Sequence, residues 1–167
     1  MSNKNQKTIF QELRSAVLEG YILHGSKTPD LAILEPRQAK EVSGNFLKNQ
    51  NGVYGARVLE VAVAIALLDK IDKKVEGKSG WNFYGENDLE TVHGEIFGDE
   101  NIVLTPGYIY VLPQATFQKF LVDESTGDYE LISFTHVVPK SVTRVTPEIL
   151  EWFPRIRVNI PSWLNAS

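Results

Sequence analysis

The feature that most constrains the fold is an apolar run at residues 58–68, which only Glu60 interrupts. The run is far shorter than the ~20 apolar residues that a membrane-spanning helix needs. A helix that is apolar on nearly every side must be covered by other elements. The sequence therefore predicts that residues 57–72 form a helix buried in the core, and it predicts no membrane segment.

An amphipathic helix is predicted near the start of the chain. Apolar side chains recur there at helical spacing, and Thr8 and Gln11 have the spacing of a capping box. The predicted helix covers residues 8–19 and ends at Gly20, which can adopt the left-handed conformation of a helix terminus.

Much of the remaining chain is predicted to form short strands. Thr105-Pro106-Gly107 and Ser125-Thr126-Gly127-Asp128 are turn sequences that predict two hairpins. Thr146-Pro147-Glu148 predicts the start of a short helix, with Pro in its first turn. Residues 155–167 are predicted as an irregular tail, which Trp163 packs against the domain. The predicted strands are residues 21–24, 53–54, 102–104, 108–112, 117–122, 129–134 and 141–145.

Composition favours one intracellular α+β domain over residues 1–167, with residues 1–6 and 155–167 less regular. Cysteine is absent and the N-terminus lacks a signal peptide, which favours the reducing cytoplasm. The net charge is −4 without a cluster of Lys or Arg, so no nucleic-acid partner is expected. Residues 27–51 and the acidic stretch at 86–100 are predicted as loops.

His24 ends the first predicted strand, in Leu23-His24-Gly25-Ser26. Strand alternation puts its ring on the side of Ile22, toward the core or the wall of a cleft. Gly25 lets a ligand approach the backbone closely, because it has no side chain. The pair suits a hydrogen-bonding group beside an open backbone edge, and an imidazole here also fits a purely structural role.

Two further side chains are candidates for a binding site. Tyr54 lies among small residues in Gly52-Val53-Tyr54-Gly55-Ala56, so its ring can stack on a planar ligand or fill the core at a strand–helix junction. Glu130 alternates onto the face of Ile132 and Phe134, where an unpaired carboxylate is costly and favours a functional role. An edge strand that turns Glu130 to water is the alternative.

The order of these segments resembles that of the poly(ADP-ribose) polymerase and diphtheria-toxin-like ADP-ribosyltransferases. The first strand of that superfamily ends in His-Gly-Ser or His-Gly-Thr with Ile-Leu a few residues on, as in residues 21–34 here. Residues 52–56, running into a helix, are similar to its Gly-Ile-Tyr-Phe-Ala element. Glu130-Leu131-Ile132 is similar to its Glu-Tyr-Ile-Val element.

The resemblance spans residues 21–145 and implies a split, mostly antiparallel sheet with a buried helix. It aligns His24, Tyr54 and Glu130 with the His-Tyr-Glu triad of enzymes that cleave NAD. In that alignment Glu130 stabilises the oxocarbenium-like transition state and His24 holds the adenosine ribose. Tyr54 stacks on the nicotinamide ring, and the backbone of Gly25 holds the nicotinamide amide.

Two positions depart from the superfamily pattern. Ala62 and Ile65 stand where the superfamily has a Ser that holds the nicotinamide amide and a Tyr that stacks on its ring. The hydroxyl of Ser26 is a candidate replacement for the lost hydrogen bond. These departures affect the expected nicotinamide pocket and leave the expected fold unchanged.

The expected activity is transfer of ADP-ribose from NAD, as substrate, to an unknown acceptor such as a protein, or hydrolysis of NAD. Arg37 is a candidate for binding the pyrophosphate, and a surface ion pair with Glu35 or Glu41 is its alternative. No metal is expected, because His93 and His136 lack the spacing of a metal motif.

Two alternatives share the fold. RNA 2′-phosphotransferases are related enzymes, but they hold a phosphate with basic residues where this chain has Tyr54 and Glu130. A non-catalytic interaction module that kept the fold and lost the pocket is the other, and Ala62 and Ile65 favour it.

Overall fold

The computed structural model describes residues 5–38, 51–69, 71, 79–85, 92–123 and 128–165, with the backbone alone at residues 38, 120–123 and 128–130. Most strand pairs are antiparallel, and the structure confirms the predicted α+β class. The helices are α1 (Gln6–Leu18), α2 (Leu59–Leu67), a 3₁₀ helix (Pro147–Trp152) and α3 (Pro161–Leu164). The strands are β1 (Ile22–Ser26), β2 (Arg37–Gln38), β3 (Asn51–Gly55), β4 (Ser79–Tyr84), β5 (His93–Gly98), β6 (Gly107–Leu112), β7 (Phe117–Asp123), β8 (Asp128–Ser133), β9 (Ser141–Val145) and β10 (Ile156–Asn159).

The described strands form three sheets. Their orders are β1-β6-β9, β10-β5-β4 and β2-β3-β8-β7. The β10–β5 pair is parallel, and the other paired strands are antiparallel. The predicted hairpin around residues 125–128 is present as the β7–β8 pair, although residues 124–127 themselves lie outside the described part.

Two hydrophobic clusters lie on opposite faces of the β1-β6-β9 sheet. Leu23 and Ile109 belong to the first cluster with α1 and α2, whereas their strand neighbours Ile22 and Tyr110 belong to the second. Because successive side chains of a strand point to opposite faces, one sheet serves as a wall of both clusters.

Helix α1 begins earlier than predicted. The side chain of Asn5 accepts a hydrogen bond from the Thr8 amide at 2.9 Å, so Asn5 is the N-cap in place of the predicted Thr8. Gly20 follows the helix with φ of 100°, as its predicted role at the end of the helix requires. The side chains that carried the helical pattern are buried: Ile9, Leu13 and Val17.

Helix α2 is buried as predicted, but it covers Leu59–Leu67 and ends before the predicted boundary at residue 72, which lies outside the described part. Leu68 is extended and forms a bridge with Leu104. Glu60 is 3% exposed in the first turn and pairs with Arg14 of α1 at 3.2 Å. The charge that interrupts the apolar run therefore has a buried partner, which links the two helices.

Other predicted boundaries and elements are also wrong. The first strand continues through Gly25 and Ser26 and does not end at His24. Residues 102–104 form a single bridge at Leu104 and no strand, because the chain there crosses to α2. The acidic stretch contains β5, with Ile96 buried, so it is not a loop throughout. The tail is regular at β10 and α3, while Trp163 packs against the first cluster as predicted.

None of the described helices is long and apolar enough to cross a membrane.

Candidate functional site

Among the described residues, a single backbone pair joins the β1-β6-β9 sheet to the β2-β3-β8-β7 sheet. Leu23 of β1 and Ala56, the residue after β3, exchange both backbone hydrogen bonds at 2.8 Å. In the part of the chain that the structure describes, the ladder between the two sheets stops at this pair. We call the facing segments, residues 23–26 and 54–56, the β1–β3 junction.

His24 is the first residue of β1 beyond this pair, and its imidazole links the two strands. Its Nδ1 lies 2.6 Å from the carbonyl oxygen of Tyr54. A carbonyl oxygen only accepts hydrogen bonds, so Nδ1 carries the proton and Nε2 of the neutral ring keeps a lone pair. Two residues that are 30 positions apart in sequence are thereby in direct contact.

Burial favours the neutral form of this imidazole. Desolvation by burial lowers the pKa of His24 most, the hydrogen bond to the Tyr54 carbonyl raises it by less, and the positive charge of Arg37 lowers it further. His24 is therefore neutral at pH 7, with Nδ1–H as donor and Nε2 as acceptor.

Gly25 is packed against helix α2, so the helix backbone fills the space that its missing side chain leaves. A Cβ at this position would lie 2.4 Å from the carbonyl oxygen of Ala62 and 3.0 Å from the amide nitrogen of Ala66. The backbone of Gly25 has a different orientation. Alternate residues of a strand present their amide and carbonyl to the same edge, so Gly25, like Leu23, presents both groups to β3.

Ser26 takes part in a local turn at the end of β1. Its Oγ accepts a hydrogen bond from the amide of Thr28 at 3.0 Å. The hydroxyl proton is not used in this bond, so Ser26 keeps a donor next to Gly25.

Tyr54 and Glu130 lie on neighbouring strands in one sheet. Tyr54 is half-buried and pairs with Ile132, and the next pair is Gly55 with Leu131. This is the last pair of the ladder, and Glu130 is the next residue of β8. Paired residues share a face, so Tyr54 and Ile132 lie on the same face of the sheet.

Strand β8 is an inner strand of its sheet, although its ladder with β3 ends at Leu131, one residue before Glu130. Strand β8 lies between β3 and β7, and Glu130 itself pairs with Phe120 of β7. The side chain of Glu130 lies outside the described part of the chain.

Arg37 lies at the end of the long segment that follows β1. It is exposed and pairs with Gly52 across the short β2–β3 ladder. Its charge lowers the pKa of His24, so the guanidinium is near enough to act on the junction electrostatically. Glu41, one of its two predicted surface partners, is outside the described residues.

The two departures from the superfamily pattern lie against this junction. Ala62 contacts Gly25 through its carbonyl oxygen, and the Cβ of Ile65 would lie 3.0 Å from a Cβ at Gly25. The wall of the junction on the α2 side is therefore apolar at both positions, where the resemblance implies a hydroxyl and a stacking ring.

A groove of about 280 Å³ is lined by Val58, the residue before α2, by Val61 of α2 and by Trp81 and Phe83 of β4. Val58 is two residues from Ala56, so the groove and the junction share the start of α2. A second groove of about 360 Å³ lies between α1 and β9, away from the candidate residues.

Tyr110 is a residue of this region that the sequence analysis missed. It is fully buried on β6, pairs with His24 in register, and its ring centroid lies 6.3 Å from that of His24. Its hydroxyl donates to the carbonyl of Thr28 at 2.6 Å and accepts from the amide of Leu31 at 3.1 Å. A tyrosine in the middle of a core strand signals such a bond, because a buried phenol needs a polar partner.

Comparisons of the chain with protein-family models, with curated proteins and with solved structures gave no match.

Proposed function

We propose that the β1–β3 junction binds NAD and that the protein transfers its ADP-ribose to an acceptor, with water as the acceptor when no other is present. The observation that carries this proposal is the hydrogen bond between His24 and the Tyr54 carbonyl. It brings together, at the one residue pair that joins the two sheets, two residues that the resemblance assigns to a single NAD site.

The backbone and side chains of the junction supply groups that suit the two ends of NAD. The amide and carbonyl of Gly25 match the acceptor and donor of a carboxamide, which is the polar group of nicotinamide. Nε2 of neutral His24 can accept a hydrogen bond from a ribose hydroxyl. The guanidinium of Arg37 suits the pyrophosphate, because it offers paired donors and a full charge.

The chemical step needs stabilisation of a developing cation. Cleavage of the bond between nicotinamide and ribose gives an oxocarbenium-like transition state, and an adjacent carboxylate lowers its energy. The β3–β8 ladder supports this role for Glu130, because its last pair joins Gly55 of the junction to Leu131, the neighbour of Glu130 in the chain. Nicotinamide leaves with the bonding electrons, and the acceptor oxygen or water attacks the ribose carbon and loses its proton.

The direct test is release of free nicotinamide from NAD by the purified protein, measured by chromatography. Glu130→Gln should reduce the rate by ~100-fold or more and change NAD affinity much less, because the charge acts mainly in the transition state. Tyr54→Ala should weaken NAD binding as well, because a stacked ring contributes in the ground state.

Glu151→Gln is the matched control, since Glu151 is an exposed glutamate on the 3₁₀ helix. It should retain the wild-type rate and affinity. A wild-type protein that neither binds NAD nor releases nicotinamide would overturn the proposal.

A non-catalytic interaction module is the second candidate, and the apolar wall at Ala62 and Ile65 favours it. If that module still binds NAD, the melting temperature should rise with NAD while no nicotinamide appears. The two measurements together separate an enzyme, a binder and a protein that has lost the site.

A further inference from the structure

The Tyr110 hydroxyl bridges two backbone groups in the segment that connects His24 to Arg37. It donates to the carbonyl of Thr28 and accepts from the amide of Leu31, three residues further on. We call residues 28–31 the bridged loop. Because the phenol lies between these two backbone groups, the conformation of the bridged loop depends on a side chain from the core.

The backbone of the bridged loop includes a conformation that non-glycine residues seldom adopt. Asp30 has φ of 56°, and it is the one described non-glycine residue with a positive φ. Aspartate tolerates this region better than most residues, but the conformation still needs support from its surroundings. The Tyr110 hydroxyl supplies that support, because it holds the residues on both sides of Pro29 and Asp30.

Beyond the bridged loop, the segment is attached at two further points, Leu34 and Arg37. Leu34 and Val137 exchange both backbone hydrogen bonds, at 2.8 and 2.9 Å. Arg37 then pairs with Gly52 in a ladder of two residue pairs. Because that ladder is so short, the position of Arg37 depends on how the preceding loop is held.

Tyr110 also contacts the other side of the junction. It pairs with His24 across β1 and β6, and its ring meets the imidazole edge-on, with an interplanar angle of 64°. Tyr110, which is fully buried, therefore touches His24 and fixes the bridged loop that leads to Arg37.

We propose that Tyr110 is a positioning residue: its hydroxyl fixes the bridged loop, and the bridged loop sets Arg37 against the pyrophosphate of the bound dinucleotide. This inference rests on the proposed function. It adds a residue that does not touch NAD and that acts on affinity through Arg37.

The test compares Tyr110→Phe with Tyr108→Phe, which removes a hydroxyl from the same face of the same strand, two residues earlier. Tyr110→Phe should raise the KM for NAD about tenfold, equivalent to ~1.4 kcal/mol, and leave kcat within about twofold. Tyr108→Phe should leave both constants unchanged. Equal KM values for Tyr110→Phe and the wild type would overturn the inference.

A double-mutant cycle with Arg37→Gln tests whether the effect passes through Arg37. If it does, adding Tyr110→Phe to Arg37→Gln should raise KM by less than about twofold, because the guanidinium is already absent. A further tenfold increase would show that Tyr110 acts independently of Arg37 and would overturn the mechanism.

Hydrogen exchange at the amides of residues 31–37 supplies a readout that does not need NAD. Tyr110→Phe should accelerate this exchange about tenfold or more while exchange in α1 stays as in the wild type. Exchange that matches the wild type would overturn the inference even if KM changed. A wild-type protein that does not bind NAD would instead overturn the proposed function, and with it the role of Tyr110 in affinity.

Asp30→Pro disrupts the same bridged loop at a solvent-exposed residue, so it keeps the test decisive if Tyr110→Phe does not fold. Asp30 is exposed, and proline cannot adopt a positive φ, so this variant changes the backbone of the bridged loop and leaves the core intact. It should raise KM and accelerate exchange at residues 31–37 as Tyr110→Phe does. Wild-type behaviour of Asp30→Pro would overturn the inference.

Discussion

The imidazole of His24 makes the stability of the folded protein depend on pH. Burial lowers the pKa of His24, so the folded state takes up a proton at a lower pH than the unfolded chain, in which the pKa of histidine is about 6.5. Below about pH 6.5 the unfolded state binds more protons, and the free energy of unfolding falls until the pH has passed the folded-state pKa. Well above pH 6.5 the ring is neutral in both states and contributes no pH dependence.

His24→Asn should therefore flatten the decrease in melting temperature between about pH 6.5 and pH 5. Asparagine keeps an N–H that can reach the Tyr54 carbonyl, but it does not titrate. One proton changes the free energy of unfolding by at most about 1.4 kcal/mol per pH unit. The control is His136→Asn, at an exposed histidine, which should keep the wild-type slope. Equal slopes in His24→Asn and the wild type would contradict the assignment.

At the scale of the elements, Gly25 sets how closely β1 approaches α2. Gly25→Ala places a Cβ against the carbonyl of Ala62, which is helix backbone and cannot rotate away as a side chain can. We expect a loss of about 1–3 kcal/mol or more, which corresponds to roughly 2–4 °C per kcal/mol in a chain of this size. Thermal unfolding followed by circular dichroism measures it.

The neighbouring substitution Ser26→Ala separates helix packing from simple perturbation of β1. It adds no atom and removes one hydrogen bond to Thr28, so its effect should be about 1 kcal/mol. If Gly25→Ala melts at the wild-type temperature, the glycine is not needed for packing and a role in ligand approach regains support.

Elements with a complete local signal were predictable from the sequence, whereas those set by distant contacts were not. The β7–β8 hairpin has alternating strands around a turn sequence, and α2 is apolar enough to require burial. Strand β5 was missed because its charges concealed the buried Ile96. Strand β10 was missed because its pairing partner, β5, lies some sixty residues earlier.

The candidate site divides in the same way. The resemblance predicts that His24, Tyr54 and Glu130 belong to one site, and the structure shows the His24 imidazole in contact with the Tyr54 carbonyl. The packing of Gly25 on α2 and the bridging of residues 28–31 by the Tyr110 hydroxyl depend on which strand and helix become neighbours. Neither has a signal within its own segment of sequence.

At the scale of the whole molecule, the sheet shared by the two hydrophobic clusters should make their unfolding cooperative. Leu112 and Ile149 are both fully buried. Ile149 belongs to the first cluster, and Leu112 belongs to the second. Truncating either to alanine should cost about 2–5 kcal/mol. Because β1 and β6 contribute alternate residues to both clusters, neither cluster can lose its packing without exposing the wall of the other.

Leu112→Ala tests this coupling, because tryptophan fluorescence reports on the opposite cluster. Trp81 and Trp163 pack against the first cluster, whereas Leu112 belongs to the second. We expect Leu112→Ala to lower the urea midpoint seen by fluorescence, in one transition, as Ile149→Ala does. Hydrogen exchange in β8 should show the same midpoint. If Leu112→Ala loosened β8 and left the fluorescence midpoint unchanged, the two sides of the shared sheet would unfold separately. In that case the single residue pair between Leu23 and Ala56 would be a hinge between two independently stable parts, and would not be a fixed point of one cooperative structure.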